Sequence, residues 1–129
     1  MAGKKRDIAL SELQCAVMRV LWQRGEASTA EVADVLQAER GLKHTTVATL
    51  LTRLEKRGVV ESRRDARQLH YRATVTEPQV RRSMVAGLLQ SLFGGDAKAL
   101  VSHLVDESAI ESGDLDRLRR RLKGGKDHV

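Results

Sequence analysis

Apolar positions recur at helical spacing through most of the chain and switch to a period of two in one place. In the stretch 43–57, KHTTVATLLTRLEKR, the helical turn angle of about 100° per residue gathers Val47, Leu50, Leu51 and Leu54 into one stripe. Thr45, Thr49, Thr52, Arg53 and Lys56 fall on the opposite side, so the wheel predicts a core face backed by short hydroxyls and two cations. Before it, Ser11 with Gln14 and Ser28 with Glu31 have capping-box spacing and predict two helices. The first runs to Gly25 and is apolar nearly all round, which makes it central; the second buries Val32, Val35 and Leu36. Glu26 and Ala27 between them have room for a minimal strand.

After Gly58 the period changes. Leu69, Tyr71, Ala73 and Val75 alternate with Gln68, His70, Arg72 and Thr74, and with VVESRR before them predict a two-stranded hairpin, its turn at Asp65-Ala66. Helical spacing then returns. Thr76, with Pro78 and Gln79, opens a long helix to about Phe93, Gly94-Gly95 breaks it, Asp96 caps another, and Leu115, Leu118 and Leu122 mark a last one. The expected fold class is mainly α with a small β-hairpin: a winged helix-turn-helix followed by a helical dimerisation region. The boundaries read as a flexible basic tail over 1–9, a DNA-binding domain over 10–75, a dimerisation region over 76–123 and a flexible tail over 124–129.

Charge places function in the first part. Residues 1–75 carry 14 Lys and Arg against 9 Asp and Glu, a net of +5, whereas residues 76–129 carry 9 against 8, a net of +1. A basic surface suits an anionic partner, nucleic acid first. A helix whose outward face is threonine and cation can enter the major groove, where a hydroxyl meets phosphate or base edge and a methyl meets thymine. Arg63, Arg64 and Arg67 gather at the hairpin tip, where a cationic wing reaches backbone or minor groove. The candidate DNA-binding residues are Lys43, His44, Thr45, Thr46, Thr49, Thr52, Arg53, Lys56, Arg63, Arg64 and Arg67. A solvated surface helix and solvated loop arginines are the plain alternatives for the same residues.

Enzymatic chemistry finds no foothold. His44, His70, His103 and His128 lie in different elements, with no HExxH, CxxC, GxSxG or phosphate-binding glycine loop, so neither metal nor cofactor is expected. His103 with Asp106 and Glu107 has metal-ligand spacing on one helix, but a charge-paired histidine on a solvated face accounts for it. The lone Cys15 excludes an internal disulfide and reads as a buried structural thiol. With neither signal peptide nor transmembrane span in view, the expected location is the cytoplasm.

The last three helices total under 50 residues, too few for an independent core without metal, disulfide or partner. Their excess apolar surface calls for a second copy, although part of it could close over the first helix. The expected dimer interface is Val85, Leu88, Leu89, Leu92, Phe93, Leu100, Leu104, Leu115, Leu118 and Leu122. Two other functions fit a winged helix: a ligand-sensing repressor, and a protein-docking module.

The runs LSELQCAVMRVLW, HTTVATLLTRLEKRG, FGGDAKALV and LDRLRRRL resemble the BlaI/MecI penicillinase-repressor family, with TLLTRL and VMRVLW the most specific segments. The resemblance covers most of the chain. It implies a homodimer on a palindromic operator that represses β-lactamase or related cell-wall and stress-response genes, relieved when a membrane sensor-protease system triggers cleavage. Carried over by position, its DNA contacts fall on Thr45, Thr46, Thr49, Thr52 and Arg53, with Lys43 at the helix entrance and Arg64 and Arg67 in the wing. Two departures stand out. Ala48 takes the place of a long base-reading cation found in some members, so readout leans on the threonines and His44. The cleavage position, an Asn-Phe bond in the type repressors, falls on His103-Leu104.

Overall fold

A computed structural model describes residues 8–127. Its elements in chain order are α1 (Glu12–Arg24), β1 (Ala27–Ser28), α2 (Thr29–Arg40), α3 (His44–Lys56), β2 (Val60–Asp65), β3 (Gln68–Ala73), α4 (Glu77–Phe93), α5 (Ala97–Asp106) and α6 (Ser112–Asp127). They form two compact units, divided between Val85 and Ala86.

Reciprocal side-chain caps start the helices where the sequence places them. Ser11 Oγ accepts from the Gln14 amide while Gln14 Oε1 accepts from the Ser11 amide, and Ser28 with Glu31 and Thr76 with Gln79 repeat the exchange. Gly25 and Gly41 then end α1 and α2 at φ of 81° and 67°, where a β-carbon would be strained. The α3 stripe is buried as expected, with Val47, Leu51 and Leu54 fully enclosed and Leu50 nearly so. At about 1.5–3 kcal/mol for each large side chain taken from water, this stripe fixes the rotation of α3 about its axis. Around it pack Val17, Met18 and Leu21 of α1 and Val32 and Leu36 of α2. The opposite side of α1 is covered within the same unit: Trp22 Nε1 donates to the Val75 carbonyl at 2.9 Å, and Val75 and Val80 are buried.

The wing differs from the expected two-stranded hairpin. The sheet has three antiparallel strands in the order β1-β3-β2, with Ala27 opposite Tyr71 and Ser28 opposite His70. The minimal strand expected at Glu26 and Ala27 is present one residue on, at Ala27–Ser28, and what no local period could reveal is its pairing with a strand far away in sequence. Tyr71 and Val75 are buried, and Leu69 and Ala73 pack against the core, as the alternation requires.

The tails also differ. Residues 1–7 lie outside the described residues, but Ile8 and Leu10 are buried, and the Ile8 amide donates to Ser83 Oγ at 2.9 Å. An isolated isoleucine beside a basic run gives no periodic signal, although its burial ties the entering chain to α4. Cys15 is half-buried rather than enclosed, and burial pushes its thiol pKa up. At the other end α6 continues through Gly124 and Gly125 to Asp127, because glycine weakens a helix by about 1 kcal/mol without forbidding it. His128 and Val129 lie outside the described residues.

In the second unit α5 has no buried residue. Asp96 caps it by accepting from the Ala99 amide, and the Phe93 and His103 rings stand 6.1 Å apart at a tilt of 57°.

Candidate nucleic-acid interface

The buried stripe of α3 forces the rest of that helix outward. Lys43, His44, Thr45, Thr49, Thr52, Arg53 and Lys56 are exposed, and Thr46 and Ala48 are half-buried. At 100° per residue Thr45, Thr49, Thr52 and Lys56 lie within roughly 60° of one another, a single polar strip along the helix.

The start of α3 is chemically unlike the starts of its neighbours. Lys43 stands at the N-cap and gives no side-chain hydrogen bond, and no acidic residue occupies the first turn. The first-turn amides therefore keep their partial positive charge, with a lysine and a histidine beside them. The threonines divide into two kinds. Thr49 Oγ1 donates to the Thr45 carbonyl at 3.0 Å and Thr52 Oγ1 to the Ala48 carbonyl at 2.9 Å, while Thr45 and Thr46 have no side-chain hydrogen bond among the described residues.

Ion pairing separates the cations. Arg24 pairs with Glu31, Arg40 with Glu12, Arg63 with Glu26 and Arg72 with Glu61. Among the described residues Lys43, Arg53, Lys56, Arg64 and Arg67 have no carboxylate partner and no hydrogen bond. Within the first unit only Arg19 and Arg82 besides these are without an ion pair among the described residues, and the five all lie on α3 or at the wing tip; in the second unit Lys98, Arg119, Arg120, Arg121 and Lys123 are also unpaired.

The wing turn consists of Ala66 and Arg67, since Asp65 faces Gln68 across the strands. Ala66 has φ of 57°, a left-handed backbone that an alanine adopts at a cost. Arg64 and Arg67 are exposed there. Arg63 behaves differently from the expectation of three free arginines at one tip: Nε and Nη2 donate to the Glu26 carboxylate at 2.9 and 2.6 Å, and Asp65 is 3.7 Å away. The hydrogen bond from Arg63 holds the Glu26 carboxyl below the usual range, and Glu26 in turn raises the guanidinium. Glu26 reaches it because β1 joins the sheet. Arg63, His70, Glu61 and Arg72 then share one side of the wing, around a shallow groove with Ser62.

The residues expected at a dimer interface divide by exposure. Val85 is 51% exposed, Leu88 43%, Leu92 70%, Leu118 45% and Leu122 68%, and Leu89, Phe93, Leu100, Leu104 and Leu115 are half-buried. Val101 and Val105, outside the expected interface, are also exposed on α5. His103 and Leu104 lie inside α5, where the His103 carbonyl accepts from the Glu107 amide at 3.0 Å and the Leu104 carbonyl from the Ala109 amide at 2.9 Å. Among the described residues no group of His, Cys, Asp and Glu could hold a metal, and no helix is long and apolar enough to cross a membrane.

Three helices, with a short anchoring strand between the first and second and a cationic hairpin after the third, make a winged helix with an open, basic face. The penicillinase repressor family model matches residues 10–124. The transcriptional regulator BlaI of Mycobacterium tuberculosis is 36% identical over 88% of this chain and 82% of its own length. The penicillinase repressor of Staphylococcus aureus is 25% identical over 92% of this chain and 93% of its own. The solution structure of the DNA binding domain of the repressor BlaI superposes with a TM-score of 0.53 at 26% identity, covering 59% of this chain and 93% of that one. The chain belongs to the BlaI/MecI penicillinase-repressor family of winged-helix transcriptional repressors, which are not enzymes.

Proposed function

We propose that this repressor works in the cytoplasm as a homodimer on a palindromic operator, controlling β-lactamase or related stress-response genes. The α3 helix of each protomer enters the major groove, and Arg64 and Arg67 of the wing reach the adjacent backbone or minor groove. The observation that carries this reading is the grouping of unpaired cations within the first unit: Lys43, Arg53, Lys56, Arg64 and Arg67 face solvent on one helix and one turn, while Arg24, Arg40, Arg63 and Arg72 are neutralised by glutamates. A protein-docking module gains nothing from such an arrangement. A ligand-sensing repressor would need convergent polar groups in an apolar pocket of its second unit, and the large apolar residues there, Leu88, Leu92, Val101, Val105, Leu118 and Leu122, are exposed.

The exposed apolar residues from Val85 to Leu122 supply the surface for a second copy. A dimer sets two α3 helices about 34–36 Å apart, one turn of DNA, and each half-site contact raises the effective concentration of the other. Relief by a membrane sensor-protease system acts on this arrangement, since a cut at His103-Leu104 would remove Leu104, Leu115, Leu118 and Leu122 from the apolar surface. It first requires α5 to unwind, because both carbonyls are bonded within the helix and its close.

A salt titration of the full chain on operator duplex tests the reading. About eight phosphate contacts per dimer give a log-log slope near −7. A slope near zero would overturn it.

A further inference from the structure

We infer that Thr49 and Thr52 select A·T base pairs, each accepting a hydrogen bond from the adenine amino group while its methyl meets the thymine methyl. The inference rests on α3 facing the groove and specifies what that face reads.

A threonine hydroxyl has one hydrogen. In Thr49 it goes to the Thr45 carbonyl at 3.0 Å, and in Thr52 to the Ala48 carbonyl at 2.9 Å. What each side chain keeps for a ligand is a lone pair and a methyl. In the major groove guanine presents only acceptors at N7 and O6, cytosine a donor without a methyl, and an A·T pair both the N6 donor and the C5 methyl. An acceptor joined to a methyl is matched in full by A·T alone. Facing guanine, it would set lone pair against lone pair.

The spacing suits two such readers. Thr49 and Thr52 are about 4.5 Å apart along the helix and roughly 60° apart around it, close to the step between neighbouring base pairs. Ala48, small and half-buried, leaves the approach clear. Thr45, whose hydroxyl has no such bond, stays able to donate to a phosphate.

The test selects a binding site for the full chain from a random duplex pool. In the selected duplex, thymines are then replaced singly by uracil, which removes the methyl, and adenines by purine, which removes the amino group. Each replacement at a facing position should weaken the wild-type protein about three- to tenfold. Thr49→Ser and Thr52→Ser should each abolish one uracil penalty and keep the purine penalty, and the Val variants should do the reverse. Indifference of the wild type to uracil, persistence of both penalties in all variants, or guanine at the facing positions would overturn the inference while leaving DNA binding intact. If no sequence were enriched, the groove-facing reading of α3 would fall with it.

Discussion

Arg63 donates two hydrogen bonds to Glu26, a residue 37 positions earlier in the chain, and so joins the wing to the start of β1. The pair removes one cation from the tip. Glu26→Gln should release Arg63 and steepen the salt dependence of DNA binding by roughly one unit of slope per protomer. A slope that stayed unchanged would mean Arg63 remains out of reach of the phosphates even when freed. The same contact has a pH signature. Because the Glu26 carboxyl is depressed, the stabilisation is present above the ordinary carboxylate range and is lost as pH falls through the lowered value. A carbon-detected NMR titration should find Glu26 titrating below the ordinary glutamate range, and Arg63→Ala should bring it back toward that range.

Closing the open start of α3 should set stability against function. Lys43→Ser supplies the missing cap and should raise unfolding stability by about 1 kcal/mol. Affinity for DNA should nevertheless fall, since a cation is lost and a hydroxyl occupies a first-turn amide. Urea midpoints and fluorescence anisotropy on the same preparation measure the two effects, and a variant that gained both would show that the open end serves no anion.

At the wing tip, Ala66→Gly should relieve the left-handed backbone at φ of 57°. Set against the extra chain entropy of glycine, a net gain of about 0.5–1 kcal/mol is expected in denaturant unfolding. Because Ala66 has no polar side chain, DNA affinity should change less than twofold.

Two leucines separate folding from assembly. Leu51→Ala opens the core of the first unit and should cost about 2–5 kcal/mol. Leu92→Ala, at a residue 70% exposed, should leave the urea unfolding of the first unit unchanged and shift sedimentation toward monomer at low micromolar concentration. A Leu92 variant as dimeric as the wild type would remove that residue from the interface.

The elements the sequence made legible are those whose signals are local. The α3 stripe and the pairs Ser11 with Gln14, Ser28 with Glu31 and Thr76 with Gln79 are spaced by helix geometry, and each appears where that spacing puts it. What escaped was long-range or too short for a period. A minimal strand was legible at Glu26 and Ala27, but nothing local pairs it with β3, and without that pairing there was no reason to set Glu26 beside Arg63. Ile8 was folded into a tail because one apolar residue next to KKRD looks solvated, yet its amide reaches Ser83. The first unit also runs past Val75 into α4, since Val80 and Met84 complete its core. The identity of the threonines was visible, but the direction of their hydroxyls was not, because Thr45 and Thr49 read alike on a wheel.

Ser28 is a strand residue opposite His70 and also the cap of α2, and its side chain is almost wholly enclosed. A push on the hairpin is thus delivered through one peptide to the helix that braces α3, with no slack segment to absorb it. Wing and helix must land on a duplex as a single stamp, so a lengthened junction at this serine would blur the print even if every residue that touches DNA were kept.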